Sequence, residues 1–320
     1  MPTVACSCAN TLNNTGTPNC QPLMKVAKKF IIVPTYTSAG VRNKMLISTA
    51  ISQAAYTALI NQADKTLRYY PSPTIENIGG ERGEPVFDTA PSGKKSFIRE
   101  GVRNMTCEFW DQGAEYLYQL KAMRCTEISI YIVDAEGNLI GMRPATADGY
   151  IYPIRVDKAS WNASLNMPND TLSGKIALTF DWDSQESDEY LIMIGGTEIA
   201  ADLLGSEGLM DIQIVYGAGT TTTQIITLQE RFGSAKTRNK LTGLVTADFI
   251  SSVTATASKL RNVTDSADIT LSSAVEDTSA PGTYTLTFTP AQTSADVMAV
   301  KVLKSGFDFA DTVANTFAIP

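Results

Sequence analysis

The densest run of groups that could do chemistry is DWDSQESDE, which carries Asp181, Asp183, Glu186, Asp188 and Glu189 within nine residues. Carboxylates packed this closely are what a hard cation such as calcium takes as ligands. As an EF-hand loop beginning at Asp181, however, the run has Glu186 at the sixth position, where the sharp turn requires Gly. It has Ile192 at the twelfth, where a bidentate Glu belongs. A solvated strand end is the simpler expectation. Asp181 and Asp183 would share one face of a strand, as a glycosidase pair might, but no aromatic-rich sugar cleft accompanies them. A second passage, SGKKS at 92–96, has the look of a phosphate loop. Aligning Gly93-Lys94 with the motif puts Asp88 where the first glycine belongs and Lys95 where the magnesium-binding hydroxyl belongs. An acid there repels phosphate, so this motif fails too.

The chain contains no histidine. Imidazole is the usual general base near neutral pH and a common zinc ligand. Its absence removes Ser-His-Asp triads, Cys-His dyads and the two-histidine metal sites together. Cys6, Cys8 and Cys20 offer three thiols with a C-x-C spacing and no clear fourth ligand, short of the four that structural zinc takes. Cys107 and Cys125 read as small buried hydrophobes. No catalytic, cofactor or metal site is expected, and the chain is not expected to be an enzyme.

Charge narrows the partners. The net charge is -7 with a pI near 4.8, which disfavours binding DNA by neutralising its phosphates. The charges are also segregated. Between Ile176 and Glu230 there are ten acids and no Lys or Arg. Lys94, Lys95, Arg99 and Arg103 fall on one expected strand, and Arg231, Lys236, Arg238 and Lys240 on one later loop. Solvated faces of both signs would explain this. Complementary patches joining identical copies would explain it as well, since charge sets register and partner choice, and contacts between different patches make rings or stacks.

The elements that would position these groups are mostly strands. Residues 1–25 lack periodicity and read as an arm. Apolar spacing from Lys44 to Ala63 predicts an amphipathic helix, and 68–85 reads as loop. Residues 94–110 read as one long strand bulged at Gly101. A helix follows from Asp111, its expected N-cap, to Arg124. ISIYIVDAEGNLIGM predicts a hairpin turning at Asp134–Asn138. Strands are expected over 150–156, 175–182, 191–194 and 210–216, and in TTTTQIITL from Thr220. Past Leu241 helical patterning vanishes, and short Thr-rich strands recur near 253–257, 269–271, 283–289 and 297–303. Their turns fall at 281–282 and 305–306, the spacing of a small Ig-like sandwich. The expected domains are therefore 1–244 and 245–320. No signal segment or membrane-length apolar run is evident, so the five N-x-[ST] sequons read as chance and a cytoplasmic origin is expected.

Four passages resemble the major tail tube proteins of long-tailed phages, particularly those of Bacteroidetes hosts. They are the Cys-rich start running to NTGTPNCQPL, KKFIIVPTY, RYYPSPTIENIGGERGEPVFDTAPSGKKSFIREGVR and LKAMRCTEISIYIVDAEGNLIGM. All four precede residue 143. The resemblance implies a β-sandwich or barrel core with one flanking helix, besides the N-terminal helical segment, and a C-terminal Ig-like decoration. It implies hexameric rings stacked into a tube, with strands joined into a lumen wall and residues 70–95 as an inter-ring contact. The partners would be copies of the chain, other tail proteins, and genome DNA passing without specific binding. The setting would be a virion tail assembled in host cytoplasm. The basic residues above are then candidate interface residues, and Asp181, Asp183, Glu186, Asp188 and Glu189 candidate acidic lumen or interface residues. Another virion protein (capsid, decoration or tail-terminator) and a glycan-binding adhesin share the composition.

Overall fold

A computed structural model of the chain describes residues 23–47, 51–62, 64–144, 148–232, 238–251, 257–309 and 316–320. The protein is mainly β, and it divides into two compact units, Met1–Gly208 and Leu209–Pro320.

In the first unit the strands are β1 (Ala27–Pro34), β2 (Met45–Leu46), β3 (Tyr70–Pro71), β4 (Glu76–Arg82), β5 (Val86–Thr89), β6 (Lys95–Arg99) and β7 (Arg103–Trp110). They continue as β8 (Ile128–Asp134), β9 (Leu139–Met142), β10 (Tyr150–Ile151), β11 (Ile154–Arg155), β12 (Asn162–Asn166), β13 (Lys175–Asp181) and β14 (Leu191–Ile194). Two helices join them, α1 (Gln53–Ile60) and α2 (Ala114–Ala122). One sheet runs β14-β9-β8-β1-β3, with β11 also on β8, and a second runs β12-β13-β7-β4. The two share one apolar core. Phe30, Ile130, Ile132 and Ile140 come from the first sheet, and Met105, Cys107, Phe109, Ile176, Leu178 and Phe180 from the second. Phe180 meets Phe30 edge-on at 5.6 Å and stacks on Trp161 at 5.2 Å. The Trp161 indole N–H in turn donates to the Leu120 carbonyl at 2.8 Å, tying the last turn of α2 to this core.

The expected hairpin is β8–β9, and its chemistry explains its strength. Asp134 is fully buried, and its carboxylate accepts from the backbone N–H of Lys25, Glu136 and Asn138 and from Asn138 Nδ2. Gly137 supplies the φ of +77° that the turn demands. Burial would raise the Asp134 pKa, but the four donors outweigh it and hold the carboxyl below the usual carboxylate range. A depressed folded-state pKa means the stabilisation is complete above the unfolded value. It is lost as pH falls through the folded one. Asp134→Ala is expected to cost about 1–3 kcal/mol at pH 7 by leaving the turn donors unpaired. In urea titrations the penalty should shrink in acid, where the wild-type carboxyl is protonated.

Several sequence expectations are corrected. Helix α1 is shorter than 44–63: Met45–Leu46 pairs with Tyr150–Ile151 as a strand, and the helix begins after Ser52, whose hydroxyl caps the Ala55 N–H. Helix α2 begins after Gly113 rather than Asp111, which has a left-handed φ of +56°. Residues 68–85 hold β3 and β4, and 94–110 is two strands that break at Gly101. Cys107 is buried as expected, whereas Cys125 is exposed on a turn with φ +65°. Cys6, Cys8 and Cys20 lie outside the described residues.

The second unit has β15 (Met210–Gly219), β16 (Thr223–Glu230), β17 (Phe249–Ile250), β18 (Lys259–Asn262), β19 (Ala267–Glu276) and β20 (Thr283–Thr289). It ends with β21 (Val297–Ala299), β22 (Lys301–Val302), β23 (Phe307–Phe309) and β24 (Thr316–Ala318). Eight run in one hydrogen-bonded path, β23-β15-β16-β20-β19-β18-β21-β24, and β17 pairs β22. The unit begins at Leu209 and not near 245, because β16 pairs with β20 from Thr223↔Thr287 to Thr227↔Thr283. Ile212, Ile226 and Leu228 thereby join Tyr284, Leu286 and Phe288 in its core. The turns at Gly282 and Gly306 have positive φ, as expected of their positions. The strand expected at 253–257 falls almost wholly outside the described residues.

Candidate subunit interface

Strands β5 and β6 pair only with each other, Phe87↔Phe97 and Thr89↔Lys95 marking the register. Every residue from Gly83 to Glu100 is exposed. The strands therefore form a hairpin arm with neither face covered by the described residues. Its tip turns at Gly93 (φ +82°), where the Gly93 N–H donates to the Ala90 carbonyl. Phe87 and Phe97 meet edge-to-face at 5.9 Å, and with Val86 and Ile98 they leave four large apolar side chains in solvent. Lys94, Lys95 and Arg99 project from the same arm. An isolated two-stranded hairpin is marginal in water, so an apolar arm of this kind gains by packing against another surface.

The arm leaves the body where β4 ends and β7 begins. Gly83 N–H bonds the Val102 carbonyl at 2.8 Å, and Gly101 lies so close that an added Cβ would sit 1.9 Å from the Gly83 carbonyl oxygen. Only glycine fits there. The residues on either side of the arm, Arg82 and Arg103, both reach Asp188. Arg82 binds it with a fork, Nε to Oδ2 at 3.0 Å and Nη2 to Oδ1 at 2.9 Å, and Arg103 Nη2 reaches Oδ2 at 2.7 Å. Partial burial works against the charged carboxyl, but the two guanidiniums prevail and lower its pKa. Arg103 also packs over the Trp182 ring at 4.9 Å.

These contacts correct the expectation of patches held apart for partners. Arg103 and Asp188 pair within one chain. Glu186 is buried and accepts from Arg42 Nη2 at 3.1 Å and Arg155 Nε at 2.7 Å, so it faces no lumen. Asp181 accepts from Asn104 Nδ2 at 2.7 Å on the outer face of β13, and Glu189 is exposed. Asp183 lines a small open cleft of about 200 Å³ with Tyr36, Arg155, Asp157 and Lys158. That is below the roughly 300–1,000 Å³ of small-molecule pockets. Among the described residues no group of three or more acids or thiols is placed to hold a metal ion. Of the later basic loop, Arg231 is exposed beside the Phe232 ring, Arg238 is half-buried and Lys240 is exposed. Lys236 lies outside the described residues.

The sheet β12-β13-β7-β4 has one face on the core and one uncovered. On the uncovered face Ser164, Ala177 and Glu108 align in one row, and Asn162, Thr179, Thr106 and Gly79 in the next. Glu81, Asn104 and Asp181 make a third row, and Asn166, Lys175 and Trp110 a fourth at the other end, from which Lys175 reaches Glu108. The surface is small-chained, polar and net acidic. Among the described residues its edge strands β12 and β4 each pair with one neighbour, and an edge of that kind offers backbone groups to another strand. No sequence signal pointed to this face, because β4 reads ENIGGER and lacks alternation.

Structure and surface thus define a mainly β protein with a projecting apolar arm, basic at its tip and balanced in charge along its length, and an acidic sheet. Compared with known proteins, the chain matches no family model, no curated protein and no solved structure. No helix among the described residues is long and apolar enough to cross a membrane.

Proposed function

We propose that this chain is a self-assembling structural subunit of a virion, the tail tube protein of a long-tailed phage. The observation that carries the reading is the arm from Gly83 to Val102, whose Phe87, Phe97 and Ile98 are left exposed by the described residues. A second copy supplies that cover, and Lys94 and Lys95 at the tip favour an acidic acceptor there, while Glu84, Asp88 and Glu100 balance the charge along the rest of the arm. The four-stranded sheet supports the same reading. Its open edges let β12 of one copy pair with β4 of the next, so that six copies close a wall with no free edge. Its uncovered face then lines the channel, where Glu81 and Asp181 repel phosphate, Glu108 holds Lys175, and Thr106, Thr179, Asn162 and Ser164 offer no cation to hold it. The second unit serves as a small Ig-like decoration. Sedimentation velocity on purified protein tests the reading. Concentration-dependent growth through a six-copy species is expected, and a strictly monomeric protein at high concentration contradicts it.

A further inference from the structure

We infer that Asp188 is the positioning residue of the arm, a single carboxylate that latches both of its roots and fixes the direction in which it leaves the body. Arg82 is the last residue of β4 and Arg103 the first of β7, so between them they carry the whole excursion from Gly83 to Val102. Both guanidiniums converge on Asp188, which belongs to the other side of the junction, in the turn at Asp188–Tyr190. The latch is reinforced from the Arg82 side. Arg82 Nη1 donates to the Gly101 carbonyl at 2.9 Å and lies 3.5 Å from Glu100, while Nη2 reaches the Glu186 carbonyl at 3.3 Å. Arg103 Nη1 donates to the Gly80 carbonyl at 2.9 Å. Both arginines are mostly buried, at 15% and 24% side-chain exposure, and Asp188 is the carboxylate they share, so the pairing holds them more firmly than a surface pair would.

The consequence concerns the arm rather than the body. The Gly83–Val102 hydrogen bond ties the two strands at the root, but beyond it, among the described residues, they pair only with each other, so without the latch no side chain from the body fixes the arm's direction. An arm held in one direction meets its acceptor without first being ordered, and pre-ordering of this kind lowers the cost of association. The inference stands whatever surface the arm meets, so its test is made on dilute, monomeric protein.

Spin labels are placed at the tip, on Ser92→Cys, and on the exposed Cys125, in a chain whose Cys6, Cys8 and Cys20 are changed to Ser. Wild-type Asp188 is expected to give a narrow distance distribution. Asp188→Asn should widen it at least two-fold in a unit that remains folded by circular dichroism, and Asp188→Glu should restore a narrow one. If Asp188→Asn fails to fold, Arg82→Lys, which keeps the charge and loses the fork, should widen it in the same sense. A distribution as broad with the native carboxylate as in the Asp188→Asn variant, or a narrow one in every variant, overturns the inference. Neither result bears on whether the protein forms tubes, which sedimentation of the concentrated wild type decides separately.

Discussion

Replacing Phe87 and Phe97 together by Ser is expected to abolish assembly while leaving the subunit folded. The two rings touch each other and stand outside the core, and they are 49% and 57% exposed, so the body loses almost nothing when they go. What is lost is the apolar area that a second copy would cover. Burying a whole Phe is worth about 1.5–3 kcal/mol, and these rings have about half of that left to gain. The pair therefore contributes about 1.5–3 kcal/mol to each contact, roughly 10- to 150-fold in affinity. A ring needs the contact at every junction, so the loss compounds. Sedimentation of the double variant should show subunits at concentrations where wild type is assembled, with an unchanged urea midpoint. Assembly that survives the double change would take the arm out of the interface.

The second large effect lies inside the body. Glu186→Ala is expected to destabilise the first unit by about 3–5 kcal/mol, because the side chain is 6% exposed and holds Arg42 and Arg155 together. Removing it leaves two mostly sheltered guanidiniums without the carboxylate that both bond, with only Asp183 near Arg155 to offset them. Glu186→Gln keeps one acceptor and should cost less. Urea unfolding of the three proteins gives the order wild type, Gln, Ala. Equal midpoints would show that water replaces the carboxylate at this position.

The acidic run that holds this residue shows what the sequence could and could not tell. Asp181 to Glu189 stood out as acidic, and Arg99 and Arg103 as basic, but the partners Arg103 and Asp188 are 85 residues apart. No local pattern announces such a pairing, so surfaces expected to join copies proved in part to close one chain on itself. Local chemistry was legible. The Asp134–Asn138 turn carries its own donors and acceptor, and Thr283–Thr289 alternates cleanly along β20. Strand β4 was hidden because an edge strand of Asn, Gly and Glu has no alternation to read. The arm was half visible: Pro91, Gly93 and the apolar Phe97-Ile98 were there, but Val86–Thr89 is too short to announce a strand before its partner is known. The unit boundary was missed for a related reason. Texture changes near Leu241, where helices and aromatics thin out, whereas the boundary follows the pairing of β16 with β20 across the intervening chain.

Negative-stain microscopy of the concentrated wild-type protein tests the central claim most directly. Six-fold rings stacking into tubes with an open channel are the expected result. Single subunits at every concentration, or closed shells in place of tubes, would contradict it.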